Sequence, residues 1–336
     1  MEKQDIIPFV SVCMTTYNHE AYIAEAIEGV LMQKTSFPFE LLIHDDASTD
    51  GTAGIIREYE ARYPDIIKPI YQKENQYSKG VCVERKFLFS RVQGKYVAVC
   101  EGDDYWTNPL KLQKQVDFLE SHPDYSICGG MYQTIYENVN SGVVDLDWLV
   151  DVMQKYPKGK TITLDNYFYP YLFWFLTVCV RRECLEGLNK YSKIKDDTLF
   201  AEALAIGKGY IFHDVFGVYR QHQGGIWAGK NMKEKLYGNV DYITELYRYH
   251  KDKSWCIRHG YYSTKICVLF YEMKEKNKIR VFFNIIGLIF SGKVRDFLFH
   301  LGFFFQMLYV YANSFFRRKL GLKPAKIAVE PHRYKV

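Results

Sequence analysis

Carboxylates gather at two points of the chain where a strand-like run gives out. Asp45 and Asp46 follow the apolar stretch 39–44, and Glu101, Asp103 and Asp104 follow 96–100. Acids grouped beside a phosphate would repel it unless a cation stood between them, and hard oxygen donors call for Mg2+ or Mn2+. The chemistry this pattern suits is metal-bridged binding of a diphosphate.

The elements that must carry these residues read as a β-α-β series. Residues 9–15 form an apolar run, Ile23, Ile27, Val30 and Leu31 recur at helical spacing, and 39–44 is the next run. A helix capped by Ser48, Thr49 or Asp50 extends to about Tyr63, a strand lies near 67–71, a helix near 83–92 and a strand at 96–100. Such alternation predicts a largely parallel twisted sheet with helices on its faces, which binds ligands beyond the carboxyl ends of its strands. The loop after the first strand, Thr15, Thr16, Tyr17 and Asn18, has none of the glycines a dinucleotide fold needs to bring pyrophosphate against the backbone. A dehydrogenase is therefore disfavoured.

The 336 residues suit one large domain with an appendage. Charge divides them: residues 1–229 carry 23 Lys+Arg against 31 Asp+Glu, net −8, and 230–336 carry 21 against 8, net +13. The basic part is rich in Phe, Leu and Ile, which favours an anionic membrane surface over nucleic acid as its partner. Eight cysteines form no C-x-x-C pair, and Cys13, Cys100, Cys128 and Cys179 sit in apolar runs, so they read as reduced core residues. The first residues lack a basic start followed by an apolar stretch, which predicts a chain that stays on the cytoplasmic side.

Four stretches, in this order, resemble the family-2 glycosyltransferases of the GT-A fold. They are 10–18 (VSVCMTTYN), 45–52 (DDASTDGT), 94–104 (GKYVAVCEGDD) with Pro109 and Leu112 behind it, and Asp196-Asp197 followed by 219–222 (YRQH). The resemblance implies a GT-A catalytic domain over 1–229, with a nucleotide-binding half at about 8–122 and an acceptor half at about 123–229, followed by a basic, aromatic-rich helical region at 230–336. It also implies inverting transfer of a sugar from a nucleotide diphosphate sugar, UDP-linked by preference, to a saccharide or lipid-linked acceptor. By the same resemblance Thr15, Tyr17 and Asp46 hold the nucleoside, with Tyr17 stacked on the base and Asp46 accepting a hydrogen bond from it. Asp103 reaches the ribose side and shares the metal with Asp104, while His222 approaches the metal or diphosphate. Asp197 is the general base, although the Asp196–Asp197 pair also suits a helix N-terminus.

The chain departs from the family pattern in two places. Glu101 stands where an aspartate is usual, which leaves its role open, and Glu84-Arg85-Lys86 stands where Ala-Arg-Asn is common, so Arg85 approaches the nucleotide without the Asn. His19 and His44 read as structural, and Tyr105 and Trp106 as packing residues. The aromatic run 167–175 suits an acceptor platform or a core strand pair about equally.

Two other classes fit parts of the pattern. Sugar nucleotidyl transfer would want a Gly-rich, basic loop after the first strand, which 15–18 does not supply. A non-catalytic sugar-binding subunit would have no need of Asp46, Asp103, Asp104, Asp197 and His222 together.

At the far end, 297–316 is a run of 20 residues without a charge, long enough to span a bilayer. Basic residues flank it on both sides: Lys293 and Arg295 before, Arg317, Arg318 and Lys319 after. Surface docking of helices on the inner face of the membrane fits those flanks better than crossing, and the same helices suit a homodimer contact.

Overall fold

A computed structural model describes residues 7–137, 154–167, 172–192, 194–225 and 230–272, together with 287, 301 and 305. The fold divides into two compact units, one of residues 1–163 and 172–225 and the other of 164–171 and 226–336.

The first unit is an α/β sheet of nine strands among the described residues: β1 (Val10–Thr16), β2 (Phe39–Asp45), β3 (Ile67–Tyr71), β4 (Tyr96–Val99), β5 (Tyr105–Trp106), β6 (Tyr125–Tyr136), β7 (Lys160–Ile162), β8 (Cys179–Arg181) and β9 (Lys208–Gln221). Their order is β3-β2-β1-β4-β8-β6-β9-β5, with β7 on β9. β1, β2, β3 and β4 pair in parallel, the arrangement the alternating pattern predicts. Beyond β4 the sheet is mixed. β8 runs antiparallel to β4 and β6, β9 is parallel to β6, and β5 and β7 are antiparallel to β9.

Helices α1 (Ile23–Leu31), α2 (Thr52–Arg62), α3 (Lys111–Ser121) and α4 (Asp196–Ile206) complete this unit. α1 buries Ile23, Ala26, Ile27, Gly29 and Val30, the stripe its spacing predicts. Gly29 is required where α1 meets β5, because a Cβ there would stand 2.8 Å from the Trp106 backbone nitrogen. The helix expected near 83–92 is instead a π-helical turn, Glu84–Leu88, followed by a 3-10 turn, Phe89–Arg91. The wider turn closes with the Phe89 N–H on the Glu84 carbonyl; Leu88 is buried in the core, and the Phe87 ring stacks on His44 at 4.9 Å.

All eight cysteines are free, and seven are buried. Of the aromatic run, Tyr167, Phe173 and Phe175 are buried, and Trp174 stacks on Tyr132 at 4.7 Å. Residues 168–171 lie outside the described ones.

The second unit holds α5 (Met232–His250) and α6 (Trp255–Glu272). α5 opens with a reciprocal cap: Asn231 accepts the Glu234 N–H at 3.0 Å and Glu234 accepts the Asn231 N–H at 2.9 Å. Tyr247 and Tyr261 stack at 4.0 Å between the two helices. The Ser254 hydroxyl donates to the Leu164 carbonyl at 2.7 Å and the Trp255 N–H to Asp165 at 2.9 Å, so 164–165 is bound into this unit. No described helix is long and apolar enough to cross a membrane. The stretch 297–316, apart from Leu301 and Phe305, lies outside the described residues.

Lys111 stands out in the core of the first unit. Its side chain is fully buried, donates to Gln115 at 2.8 Å and lies 4.0 Å over the Trp106 ring. Burial pulls its ammonium down from the ordinary 10.5 to about 8. Between those two values the unfolded chain holds a proton that the folded chain has released, so stability rises with pH over that interval. Urea unfolding of the wild type and of Lys111→Met should therefore diverge from about pH 8 to 10.5, the wild type gaining about 1–3 kcal/mol on the variant. Parallel curves would show that Lys111 titrates as in water.

Candidate active site

The carboxyl ends of β1, β2 and β4 are laced together by backbone hydrogen bonds. The Asp46 N–H donates to the Thr16 carbonyl at 3.0 Å, and the Gly102 N–H to the Thr15 carbonyl at 2.9 Å. This close approach requires Gly102, since a Cβ would meet the Thr16 hydroxyl at 2.7 Å. Two residues after β1 and β2, Asn18 and Ala47, take left-handed backbone conformations with φ of 55° and 64°, a costly state that clusters at functional loops. The Asn18 side chain accepts the Thr49 N–H at 2.8 Å, and the Ser48 hydroxyl accepts the Asn18 N–H at 2.9 Å.

These loops sort the acids by task. Asp45 accepts the Ser48 N–H at 3.2 Å, and Asp50 accepts the Thr52 N–H at 3.0 Å at the start of α2, so both serve local turns. Asp46 looks the other way: one oxygen accepts the Gln76 N–H at 2.8 Å and the other the Tyr77 N–H at 2.9 Å. Thr15 is half-buried at the end of β1, and Tyr17 just beyond it is 42% exposed, a large ring left open to contact.

The turn after β4 meets the end of β9. Asp104 is 1% exposed, and its Oδ1 accepts the Arg220 N–H at 2.9 Å. Arg220 Nη1 donates to the Asp103 carbonyl at 2.9 Å, and its other terminal nitrogen pairs with Glu25 on α1. The Arg220 guanidinium also lies 4.4 Å over the Tyr105 ring. Two residues on, His222 Nε2 lies 3.1 Å from Asp103 Oδ2. His19 approaches the same oxygen from the loop after β1, its Nε2 at 3.8 Å.

His19, Asp103 and His222 each offer one ligand atom, and the three atoms lie within 4.8 Å of one another. Two imidazoles and a carboxylate are donors a divalent ion accepts. Asp104, which the family resemblance implies as a metal ligand, is outside this trio; one of its oxygens accepts the Arg220 N–H, and the other is buried without a hydrogen-bond partner. His19 is the residue sequence reasoning passed over. A lone His after a strand carries no signal until the fold sets it beside Asp103.

Burial and crowding set the electrostatics of these acids. Burial and the neighbouring Asp103 and Asp196 push the Glu101 carboxyl well above its usual range, and burial with Asp103 does the same to Asp104. Burial would raise Asp103 too, but the hydrogen bond to His222 and the nearby His19 hold it below the usual value. The same hydrogen bond raises His222, whereas burial lowers His19 and His44.

Asp196 and Asp197 open α4. Asp197 is 9% exposed, and burial together with Asp197 and Glu84 raises Asp196 to about 7. Glu84, on the π-helical turn, thus joins the acids of the site, which the sequence alone did not indicate. Arg85 does not join them: its Nη2 donates to the carbonyls of Leu188 at 3.3 Å and Tyr191 at 2.6 Å.

Comparison with known proteins adds to this geometry. The family model described as "Glycosyl transferase family 2" matches residues 11–180. Rv1520 of Mycobacterium tuberculosis is 36% identical over 221 residues, 65% of this chain and 60% of that protein. This chain thus spans about 60% of the length of that relative. The putative glycosyltransferase EpsE of Bacillus subtilis is 43% identical over 122 residues, 36% of this chain and 42% of EpsE. WfaP of Escherichia coli, named as a UDP-Glc:alpha-D-GlcNAc-diphosphoundecaprenol beta-1,3-glucosyltransferase, is 33% identical over 112 residues, 33% of this chain and 41% of WfaP. Among solved structures, S. aureus TarS 1–349 with UDP-GlcNAc superposes with a TM-score of 0.57 at 17% identity, over 96% of this chain and 89% of that one. The mannosyltransferase PcManGT of Pyrobaculum calidifontis, with GDP-Man and Mn2+, gives 0.54 at 15% identity, over 91% and 87%. At such identities the structures establish a shared GT-A fold.

The clasp between Asp104 and Arg220 generates a test. Asp104→Ala leaves the buried Arg220 N–H without an acceptor and should cost about 1–3 kcal/mol in thermal or urea unfolding. Asp104→Asn keeps a carbonyl oxygen there and should recover most of that loss. Equal destabilisation by both variants would mean that the hydrogen bond does not hold the strand end.

Proposed function

This chain belongs to glycosyl transferase family 2, and on that footing we propose that it moves a sugar from a nucleotide diphosphate sugar to an acceptor hydroxyl with inversion at the anomeric carbon. The observation that carries this reading is the convergence of three strand ends and the end of β9 on Asp103, with His222 Nε2 at 3.1 Å. The nucleoside lies against Tyr17, whose exposed ring stacks on the base. A carboxylate has about four lone-pair sites, and the Gln76 and Tyr77 amides use two at Asp46, so it keeps capacity for a base N–H. Asp103 and His222 hold a divalent ion, Mn2+ or Mg2+, which when bound supplies charge stabilisation to the departing diphosphate. Asp104 positions those two ligands through Arg220.

At the acceptor side, Asp197 takes the proton from the attacking hydroxyl as the new bond to the anomeric carbon forms and the bond to the diphosphate breaks. Its neighbour Asp196 is raised to about 7, by burial first and then by the adjacent carboxylate. The acceptor is a saccharide or lipid-linked saccharide in polysaccharide assembly. The acceptor in WfaP's name, a diphosphoundecaprenol-linked sugar, supports that class. The net charge of +13 over 230–336 supports docking on the anionic inner face of a membrane, where such an acceptor resides.

Single-turnover assays with UDP-sugars, Mn2+ and lipid-linked acceptors test the whole reading; no transfer from any nucleotide sugar would sink it. Asp197→Asn keeps the shape and cannot take the proton, so turnover should fall by roughly 10²–10⁴ with donor binding intact. Near-normal turnover in that variant would remove Asp197 from the reaction. Tyr17→Ala should weaken UDP and UDP-sugar alike by about 1–3 kcal/mol in calorimetric titration, taking base stacking on a ring as the measure. Unchanged affinity for both would make Tyr17 a bystander.

A further inference from the structure

We propose that His19 is a third protein ligand beside Asp103 and His222, making the site a two-histidine, one-carboxylate centre that selects a transition-metal ion over Mg2+. The proposal rests on the reading that a metal sits at Asp103 and His222, and it adds both a ligand and a preference.

The backbone of His19 leaves it little freedom. Its N–H donates to Thr52 Oγ1 at 2.8 Å, and its carbonyl accepts the N–H groups of Tyr22 at 2.9 Å and Ile23 at 2.8 Å at the start of α1. The ring is flanked by Tyr22, with centroids 6.2 Å apart, and by His222, 6.0 Å apart and nearly perpendicular. So placed, its Nε2 points to Asp103 Oδ2 at 3.8 Å, beyond hydrogen-bond reach, and its Nδ1 is buried without a hydrogen-bond partner. Nε2 makes no hydrogen bond to the described residues, and an ion shared with Asp103 and His222 would take it as a ligand. Metal–ligand distances of about 2.0–2.2 Å set neighbouring ligand atoms ~3–4 Å apart, and these three atoms already lie within 4.8 Å.

The preference follows from the donors. Mg2+ prefers oxygen ligands and gives up its water reluctantly, whereas imidazole suits transition ions, and two imidazoles with one carboxylate and open positions form a known transition-metal arrangement. With a single histidine the site would discriminate weakly between Mn2+ and Mg2+. With two, Mg2+ should compete poorly.

Electron paramagnetic resonance titration of the full chain with Mn2+, alone and with UDP present, tests this without any assay of transfer. Pulsed measurements on the wild type should show coupling to two imidazole nitrogens, and Mg2+ should displace the Mn2+ only at large excess. His19→Ala and the bulkier His19→Gln should each lose one nitrogen coupling and at least about tenfold in Mn2+ affinity, since even outer-shell changes cost 10–100-fold. Both should narrow the gap between Mn2+ and Mg2+. A wild type with one coupled nitrogen, or unchanged affinity in both variants, overturns the proposal. If His222→Ala loses Mn2+ binding while the His19 variants keep it, His19 alone is wrong; if His222→Ala also binds normally, the metal reading of this site fails with it.

Discussion

Glu101, Asp103 and Asp104 stand within one turn at the end of β4, where burial and mutual repulsion raise the cost of ionising them together. A buried acid must be hydrogen-bonded, neutralised or matched by positive charge, and the surrounding structure supplies part of this. Arg220 gives Asp104 a backbone N–H and gives the Asp103 carbonyl a guanidinium N–H. Its remaining contact to Glu25 carries the constraint into α1. Because the strand end is held in this way, His222 arrives at Asp103 from 119 residues away in sequence.

The two halves of the sheet make different contributions. The parallel strands β1, β2 and β4 bring three loops to one edge, and hydrogen bonds between the loops themselves fix their heights, through Thr15, Thr16, Asp46 and Gly102. The mixed half brings the returning strand. β9 pairs along 14 residues with β6, β5 and β7, and its register shifts against β6 set where Arg220 and His222 emerge. A parallel sheet alone would have ended with these acids and His19 but without Arg220 and His222 beside them.

The fold is shared with proteins only 15–17% identical in sequence. Core positions can be exchanged for others of similar volume, since packing tolerates such swaps better than a site tolerates a displaced donor.

By itself the sequence determined the parallel half of the fold and which acids end its strands. Hydrophobic alternation located β1 to β4 with α1 and α2 because period and length are local properties, and Asp46, Asp103, Asp197 and His222 were legible as motifs attached to strand and helix ends. The departures are places where a distant partner decided. The expected helix at 83–92 became a π-helical turn, in which Leu88 is buried and Phe87 stacks on His44, a contact no local pattern records. Arg85, an expected nucleotide residue, was drawn to the carbonyls of Leu188 and Tyr191, more than 100 residues on. Asp104 turned to the Arg220 amide, and His19, silent in the sequence, came to stand beside Asp103. A side chain's type is written in the sequence, but its partner is set by which strand ends lie together, and only the tertiary structure decides that.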